Sequence, residues 1–158
     1  MYKKHAFCTF FLGIVVMVVS WYFDLHYKVI ASDAITFVSI AIAVYMAAIT
    51  LPLGNKASDY MRMKDKYIPH KTHMGILCVY LKCAISVGFL SIIDSCLILV
   101  ISDITLIDDD GRQQEIYPLL CSILSAIGFS LLAVNMLFAL IIFKYIIIST
   151  LNNSNSQT

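Results

Sequence analysis

Three polar side chains interrupt long apolar runs, where a polar group is costly: Lys82, Asp94 and Asn135. A charge at the centre of a transmembrane helix costs about 2.5–3.5 kcal/mol on insertion scales, so such residues usually have a partner or move ions or protons. On one helix Lys82 and Asp94 would lie about 18 Å apart along the axis, which excludes a direct ion pair. We therefore expect Asp94 to find a partner on another helix or subunit, to face water or to stay protonated. Its role would be either to hold the assembly together or to line an ion or proton pathway.

The fourth apolar run offers partners for that carboxylate. Its outer half is rich in small and hydroxyl residues, among them Ser122 and Ser125, and Asn135 follows deeper in the run. Ser122 and Ala126 form a small-xxx-small step, which lets two helices approach closely. We predict that Asp94 hydrogen-bonds to these serines or to a neighbouring subunit, and that Lys82 extends toward the headgroups. The predicted intramembrane assembly set is Lys82, Asp94, Ser122, Ser125 and Asn135.

No residue pattern indicates catalysis, a metal site or a cofactor. The four histidines are His5, His26, His70 and His73, and none has a convincing Ser, Cys or carboxylate partner in the sequence. The five cysteines lie in apolar runs without a CxxC pair, which favours packing roles. The acidic stretch before Gly111 lacks the alternating ligands of a calcium loop. We predict that the chain is not an enzyme.

The composition predicts the elements that hold these residues. Apolar residues make up 60% of the 158 and charged residues 13%, where soluble domains are nearer a quarter charged. Four apolar segments, about 6–23, 34–54, 74–102 and 119–143, are each long enough to cross a bilayer as a helix. The first ends in bulky Ser20-Trp21-Tyr22-Phe23 rather than a small-x-small cleavage site, so we expect it to be retained. The predicted fold class is an all-α polytopic membrane protein with four transmembrane helices in one domain, 1–151.

The distribution of Lys and Arg predicts the topology. Lys3 and Lys4 precede the first segment, and the middle loop, 55–73, is strongly basic, whereas the outer loop, 103–118, has only Arg112. Positive residues stay on the cytoplasmic side, so we predict that both termini are inside. The expected location is the bacterial inner membrane, with multiple spans in the lipid bilayer. The polar tail, 152–158, is predicted to be disordered and cytoplasmic.

The basic loop has the pattern of a short amphipathic helix after the second span. Tyr60, Met63 and Tyr67 fall on one helical face, and Pro69 would end the helix. One interpretation is topogenic, since basic residues hold the loop inside and contact anionic lipid. The other is a docking surface for a cytosolic protein, because aromatic residues, Met and Arg are enriched at interfaces. The predicted docking residues are Arg62, Lys64, Lys66, Tyr67 and Lys71.

Two bacterial families resemble this chain. The segment 47–56, AAITLPLGNK, resembles the end of a span in RexB-like phage exclusion proteins, which implies an ion channel that depolarises the cell. The four spans and the basic middle loop are similar to KwaA, the membrane component of Kiwa antiphage systems. That resemblance implies a homo-oligomer, with a tetramer as the expected size, that docks a cytosolic KwaB-like effector. Immunity proteins against pore-forming bacteriocins share the topology and size.

Together these features predict a non-enzymatic membrane subunit of an antiphage defence system. It would sense infection at the inner membrane and dock its effector through the basic loop, without direct contact with nucleic acid. The alternatives are a regulated ion channel lined by Asp94 and Asn135, and a bacteriocin immunity protein.

Overall fold

The computed structural model of the chain describes residues 3–50, 62–64, 72–102, 105–107, 113–115 and 118–155. Four long helices dominate this part of the chain, and their bounds are α1 Lys3–Tyr22, α2 Lys28–Thr50, α3 His73–Ser102 and α4 Pro118–Asn155. All four are long and apolar enough to cross a membrane. The predicted all-α polytopic fold class with four spanning helices is therefore confirmed.

The bundle exposes large apolar side chains and buries several polar ones beside its apolar core, unlike a soluble protein. Ser91, Ser95 and Asn135 are fully buried, whereas Phe7 and Phe10 on α1 expose 72% and 70% of their surface. Since water would penalise these large exposed side chains, the outward faces suit a hydrocarbon environment. The polar groups are consequently concentrated where the helices meet.

Packing places α3 and α4 in the middle and the first two helices at the sides. Helix α2 packs mainly on α3, and α1 packs mainly on α4. The contact between α1 and α4 uses small residues, because Thr9, Gly13 and Ser20 are the buried positions of α1. The Ser130 hydroxyl donates to the Gly13 carbonyl at 2.9 Å, and a β-carbon at Gly13 would lie 3.2 Å from that hydroxyl oxygen.

The bundle has two ends, the loop end and the basic end. The loop end comprises the reversal 22–28 together with Ser102 and Pro118, and the basic end comprises Lys3, His73 and Tyr145. At the loop end α1 stops in a Schellman motif, in which Leu25 N donates to Ser20 O and Asp24 N to Trp21 O. Asp24 occupies the left-handed position with φ 47°, a conformation that Asp tolerates better than most residues.

Helix bounds differ from the predicted spans mainly at α2 and α4. Helix α2 begins at Lys28, before the predicted Ala34, and residues 51–54 of that span lie outside the described residues. Helix α4 continues through Asn155, so the first part of the predicted tail is helical. Asn and Ser are weak helix formers, which is why composition favoured a coil there. Residues 156–158 lie outside the described part.

A short hairpin that the sequence interpretation did not include connects α3 to α4. Strand β1, Thr105–Ile107, pairs antiparallel with β2, Gln113–Glu115, with Leu106 opposite Gln114. The Asp110-Gly111 pair between two short runs is a known hairpin signal. Residues 105–107 and 113–115 of the outer loop therefore form a two-stranded β-ribbon.

The predicted amphipathic helix of the basic loop is not confirmed. In the described part of that loop Met63 is a bend, and Lys64 forms an isolated antiparallel bridge with Thr72. His73 N also donates to Met63 O at 3.2 Å. A helix through Met63 and Lys64 would be incompatible with this pairing, which brings the chain back to the start of α3. Arg62, the other described residue of the predicted helix, is helical, and the remainder of that helix lies outside the described residues.

Candidate functional site

Tyr27 is the central residue of the loop end. It is fully buried, its backbone N–H donates to Ser125 Oγ of α4 at 3.3 Å, and its phenol oxygen lies 3.0 Å from Ser95 Oγ of α3. The Ser95 hydroxyl donates its single proton to the Ser91 carbonyl at 2.8 Å, so the phenol must be the donor to Ser95. Tyr27 precedes the spanning segment of α2, and burial raises the pKa of its phenol, which keeps this donor protonated.

Asp94 lies beside Tyr27 on the face of α3 that packs against α4. Only 6% of its surface is exposed. A β-carbon at Gly128 of α4 would lie 2.7 Å from Asp94 Oδ2 and 2.6 Å from Cδ1 of the Tyr27 ring. Glycine is therefore the residue that lets the α4 backbone approach both groups. The Tyr27 ring is held from the other side by Phe129, edge to face at a centroid distance of 5.1 Å.

Three buried polar atoms have no hydrogen-bond partner within the described residues: Ser91 Oγ, Asp94 Oδ2 and Asn135 Nδ2. An unsatisfied buried polar group costs about 1–3 kcal/mol, so natural proteins keep few of them. Two of the three belong to one turn of α3, next to Tyr27. This concentration marks the α3 turn 91–95 as the candidate site.

Asn135 forms a separate polar contact deeper in the bundle. Tyr45 of α2 donates to Asn135 Oδ1 at 3.0 Å and approaches the Asn135 carbonyl at 3.3 Å. Helical side chains lean toward the N-terminus of their helix, which directs Tyr45 toward this level. The contact joins α2 to α4 at the edge of the apolar cluster that fills the basic end.

A cavity of about 350 Å³ lies at the loop end, outside Tyr27. Its wall carries both signs of charge, from Asp24 and Lys28, and it also includes His26 and the buried residues Ile98 and Ser125. Lys28 Nζ donates to Ser102 O at 3.2 Å, and Asp24 Oδ1 accepts from the Ser122 hydroxyl at 3.5 Å. The volume is within the range of small-molecule sites. Ser125 joins this cavity to the buried cluster through its hydrogen bond with Tyr27.

The basic end has two His–Tyr hydrogen bonds between helices. His5 Nδ1 of α1 lies 2.6 Å from the Tyr80 hydroxyl of α3, and His73 Nδ1 of α3 lies 2.8 Å from the Tyr145 hydroxyl of α4. The second bond stands where the basic loop enters α3. These contacts connect the root of that loop to the packing of α3 against α4.

The structure distributes the predicted site residues among three places. Asp94, Ser125 and Asn135 are buried between helices, Ser122 lies at the loop-end cavity, and Lys82 is exposed on the outer face of α3. Within the described chain, Ser122 and Ser125 are bonded to Asp24 and Tyr27 rather than to Asp94. Arg62 and Lys64 are exposed, and the other predicted docking residues lie outside the described part of the chain: Lys66, Tyr67 and Lys71.

Tyr27 and Gly128 complete the site. Sequence reasoning included Gly128 only among the small residues of the fourth segment, and it did not single out Tyr27, which precedes the predicted start of the second span at Ala34. The spacing of Gly88, Ser91 and Ser95 was the available signal, because positions i, i+3 and i+7 share one helical face. That face is the one α3 buries against its neighbours.

Among the described residues no three His, Cys, Asp or Glu side chains converge in a metal-binding group. The chain was also compared with known proteins. No protein-family model matches it. No curated protein matches it, and no solved structure matches it.

Proposed function

We propose that this chain is a non-enzymatic, signal-receiving subunit of a bacterial inner membrane, acting in antiphage defence. It receives its signal at the loop end and passes it to a cytosolic effector on the basic loop. The observation that carries the proposal is the loop-end cavity, whose Ser125 is bonded to Tyr27 and through it to the α3 turn 91–95. The defence context derives from the resemblance to the Kiwa membrane component.

The cavity supports a receptor role because its polar wall is preformed. Asp24 and Ser122 are held against each other, and Lys28 is held at the Ser102 carbonyl. A ligand that carries both a positive and a negative group would find complementary charges at the mouth. Its entry would compete for the same side chains that fix the ends of α1 and α3.

Tyr27 supports transmission, since it contacts three helices at once. It directly precedes α2, donates to Ser95 on α3 and is held by Ser125 on α4. Displacing Ser125 therefore changes the packing of α3 against α4. At the opposite end the His73–Tyr145 bond spans the same two helices, directly before the Lys64–Thr72 bridge of the basic loop.

The basic loop supports effector docking by its charge and exposure. Arg62 and Lys64 expose their side chains, and Lys66 and Lys71 add further positive charge in the sequence. An acidic surface on a cytosolic partner would complement them. In this proposal the subunit assembles as a homo-oligomer, with a tetramer as the expected size.

A pore is less well supported by the arrangement. Asp94 and Asn135 are buried within one chain, with 6% and 0% of their surfaces exposed. A channel formed between copies would be lined by outward-facing residues, and these are largely apolar. For Asp94 and Asn135 to line a pore, the ion path would have to run inside the four-helix bundle of a single chain.

The test is co-expression with the soluble protein encoded beside this gene, followed by affinity purification from membranes and a phage plating assay. The double variant Arg62→Gln/Lys64→Gln is expected to lose the co-purified protein and phage protection. Lys3→Gln/Lys4→Gln is the matched control, because it removes two exposed charges at the same end outside the loop. Equal recovery of the partner by both variants would refute docking through the loop.

Signal reception is tested separately with Tyr27→Phe, which retains the ring and removes the phenol donor. The variant is expected to co-purify with the partner as the wild type does, whereas its phage protection should fall at least tenfold. Full protection by Tyr27→Phe would show that the loop end does not transmit.

A further inference from the structure

The Asp94 carboxylate lacks a balancing charge within the described chain. Its Oδ2 atom has no hydrogen-bond partner there, and the nearest basic residue of the same helix, Lys82, is exposed about 18 Å away along the axis. Lys28, at the loop end, donates to the Ser102 carbonyl. A buried carboxylate without a partner is strongly unfavourable, so Asp94 either takes up a proton or binds a positively charged ligand.

Hydroxyl oxygens accompany this carboxylate. Ser91 Oγ is fully buried, meets no partner at hydrogen-bond geometry within the described residues and lies near the Tyr27 phenol. It precedes Asp94 by three residues, a spacing that places two side chains about 5–6 Å apart on one helical face. The Tyr27 ring and Asp94 Oδ2 both lie within 2.7 Å of the same point beside Gly128. The Tyr27 phenol and Ser95 hydroxyl continue the row of oxygens along α3. Hard cations prefer such a set of carboxylate and hydroxyl oxygens.

The charge of the ligand follows from the count of carboxylates. Asp94 is the single carboxylate of this cluster, and no group of three metal-ligating side chains occurs in the described residues. A divalent ion would leave one positive charge uncompensated in an apolar interior, which the low dielectric opposes. The single positive charge of a monovalent cation would be balanced by this one carboxylate.

We propose that Asp94 and Ser91 bind one alkali-metal cation, Na⁺ or K⁺, between α3 and α4. The cation enters from the loop-end cavity, whose buried residues Ile98 and Ser125 flank Tyr27. Tyr27 closes the site on that side. The bound ion balances the carboxylate where it packs against the Gly128 backbone and thereby stabilises the packing of the two central helices. This site is independent of the proposed function.

The experiment uses the purified full-length protein in detergent, without effector or phage. Thermal unfolding is compared in NaCl, KCl and N-methyl-D-glucamine chloride at equal ionic strength. At a cation concentration about 100 times Kd, we expect the wild-type Tm to be about 5 °C higher in the bound alkali salt than in N-methyl-D-glucamine chloride. The salt that gives the rise identifies the ion.

Asp94→Asn removes the charge at nearly constant volume and is expected to lose the cation-dependent rise. Asp33→Asn is the matched control, since Asp33 is an exposed carboxylate on α2, and it should retain the full rise. Ser91→Ala is expected to weaken the cation affinity at least tenfold. If Asp94→Asn fails to fold, Ser91→Ala decides the question through its shifted concentration dependence.

A direct count uses equilibrium dialysis with radioactive ²²Na⁺ or ⁸⁶Rb⁺, the latter standing for K⁺. One ion per chain is expected for the wild type and for Asp33→Asn. Equal Tm values in all three salts, together with no stoichiometric retention of either ion, would overturn the proposal. Retention that Asp94→Asn does not reduce would overturn it as well.

Discussion

Oδ2 of Asp94 lies against the backbone of Gly128, so close that a β-carbon at position 128 would be 2.7 Å from it. The same point lies 2.6 Å from the Tyr27 ring. The Asp94 carboxyl group, the Tyr27 ring and the α4 backbone at Gly128 therefore meet in one small volume, where α3 packs on α4 beside the start of α2.

Gly128→Ala is expected to lower the stability of the bundle. The added methyl group cannot fit without moving Tyr27 or Asp94, and overpacking costs about 1–3 kcal/mol, more than the roughly 1 kcal/mol gained in helix propensity. Thermal unfolding in detergent measures the change. Gly75→Ala is the matched control, because its nearest neighbour would be Thr72 Oγ1 at an ordinary 3.4 Å. A Gly128→Ala variant as stable as Gly75→Ala would contradict the close approach.

Tyr45→Phe is expected to destabilise the bundle by about 1–2 kcal/mol, because Asn135 Oδ1 loses the hydrogen bond from the phenol. Adding Asn135→Leu should recover part of the loss, since the buried amide is then removed with its unpaired Nδ2 atom. Unfolding of the two single variants and the double variant measures the coupling. Tyr22→Phe, at an exposed tyrosine, should have no effect. Additive losses would show that the two residues do not interact.

Tyr27→Phe is expected to reduce the loss of stability at alkaline pH. Burial raises the folded-state pKa of the Tyr27 phenol above its ordinary value of 10.0. The contribution of the phenol to the free energy of unfolding is therefore complete below pH about 10, and it is lost as the pH rises through the folded-state pKa. Tm values measured between pH 8 and 11 should therefore fall less steeply for Tyr27→Phe than for wild type. Tyr22→Phe should follow the wild-type slope. Identical slopes for all three proteins would place Tyr27 in contact with solvent.

The predicted N-in, C-in topology is testable by cysteine labelling in a background without the native cysteines. Glu115→Cys in β2 is expected to react with a membrane-impermeant maleimide in intact cells. Lys64→Cys, in the basic loop, should react only after permeabilisation. The reverse pattern would place the termini outside and would remove the basic loop from the cytosol.

Apolar run lengths predicted the four helices because a spanning helix needs about 20 apolar residues, and this requirement is visible residue by residue. The packing faces were harder to predict, since lipid and protein interior are both apolar and hydrophobicity alone cannot distinguish them. Polar residues carried the useful signal, and Asp94 and Asn135 were expected to matter for assembly. Tyr27 was missed because an aromatic residue near a span end is more often an interface anchor. Gly128 depends on tertiary contacts that no local pattern records.

Helix α1 reaches its main partner late in synthesis. Its small-residue face, Thr9, Gly13 and Ser20, packs on α4, which follows the other three helices in the chain and so leaves the ribosome after them. Helices that insert first and associate afterwards follow the two-stage route of membrane protein folding. The first helix therefore stays without its docking surface until the fourth has entered the bilayer. Assembly of this side of the bundle is post-insertional, and a truncation before α4 would leave the face of Gly13 open to chaperones, proteases or other helices in the membrane.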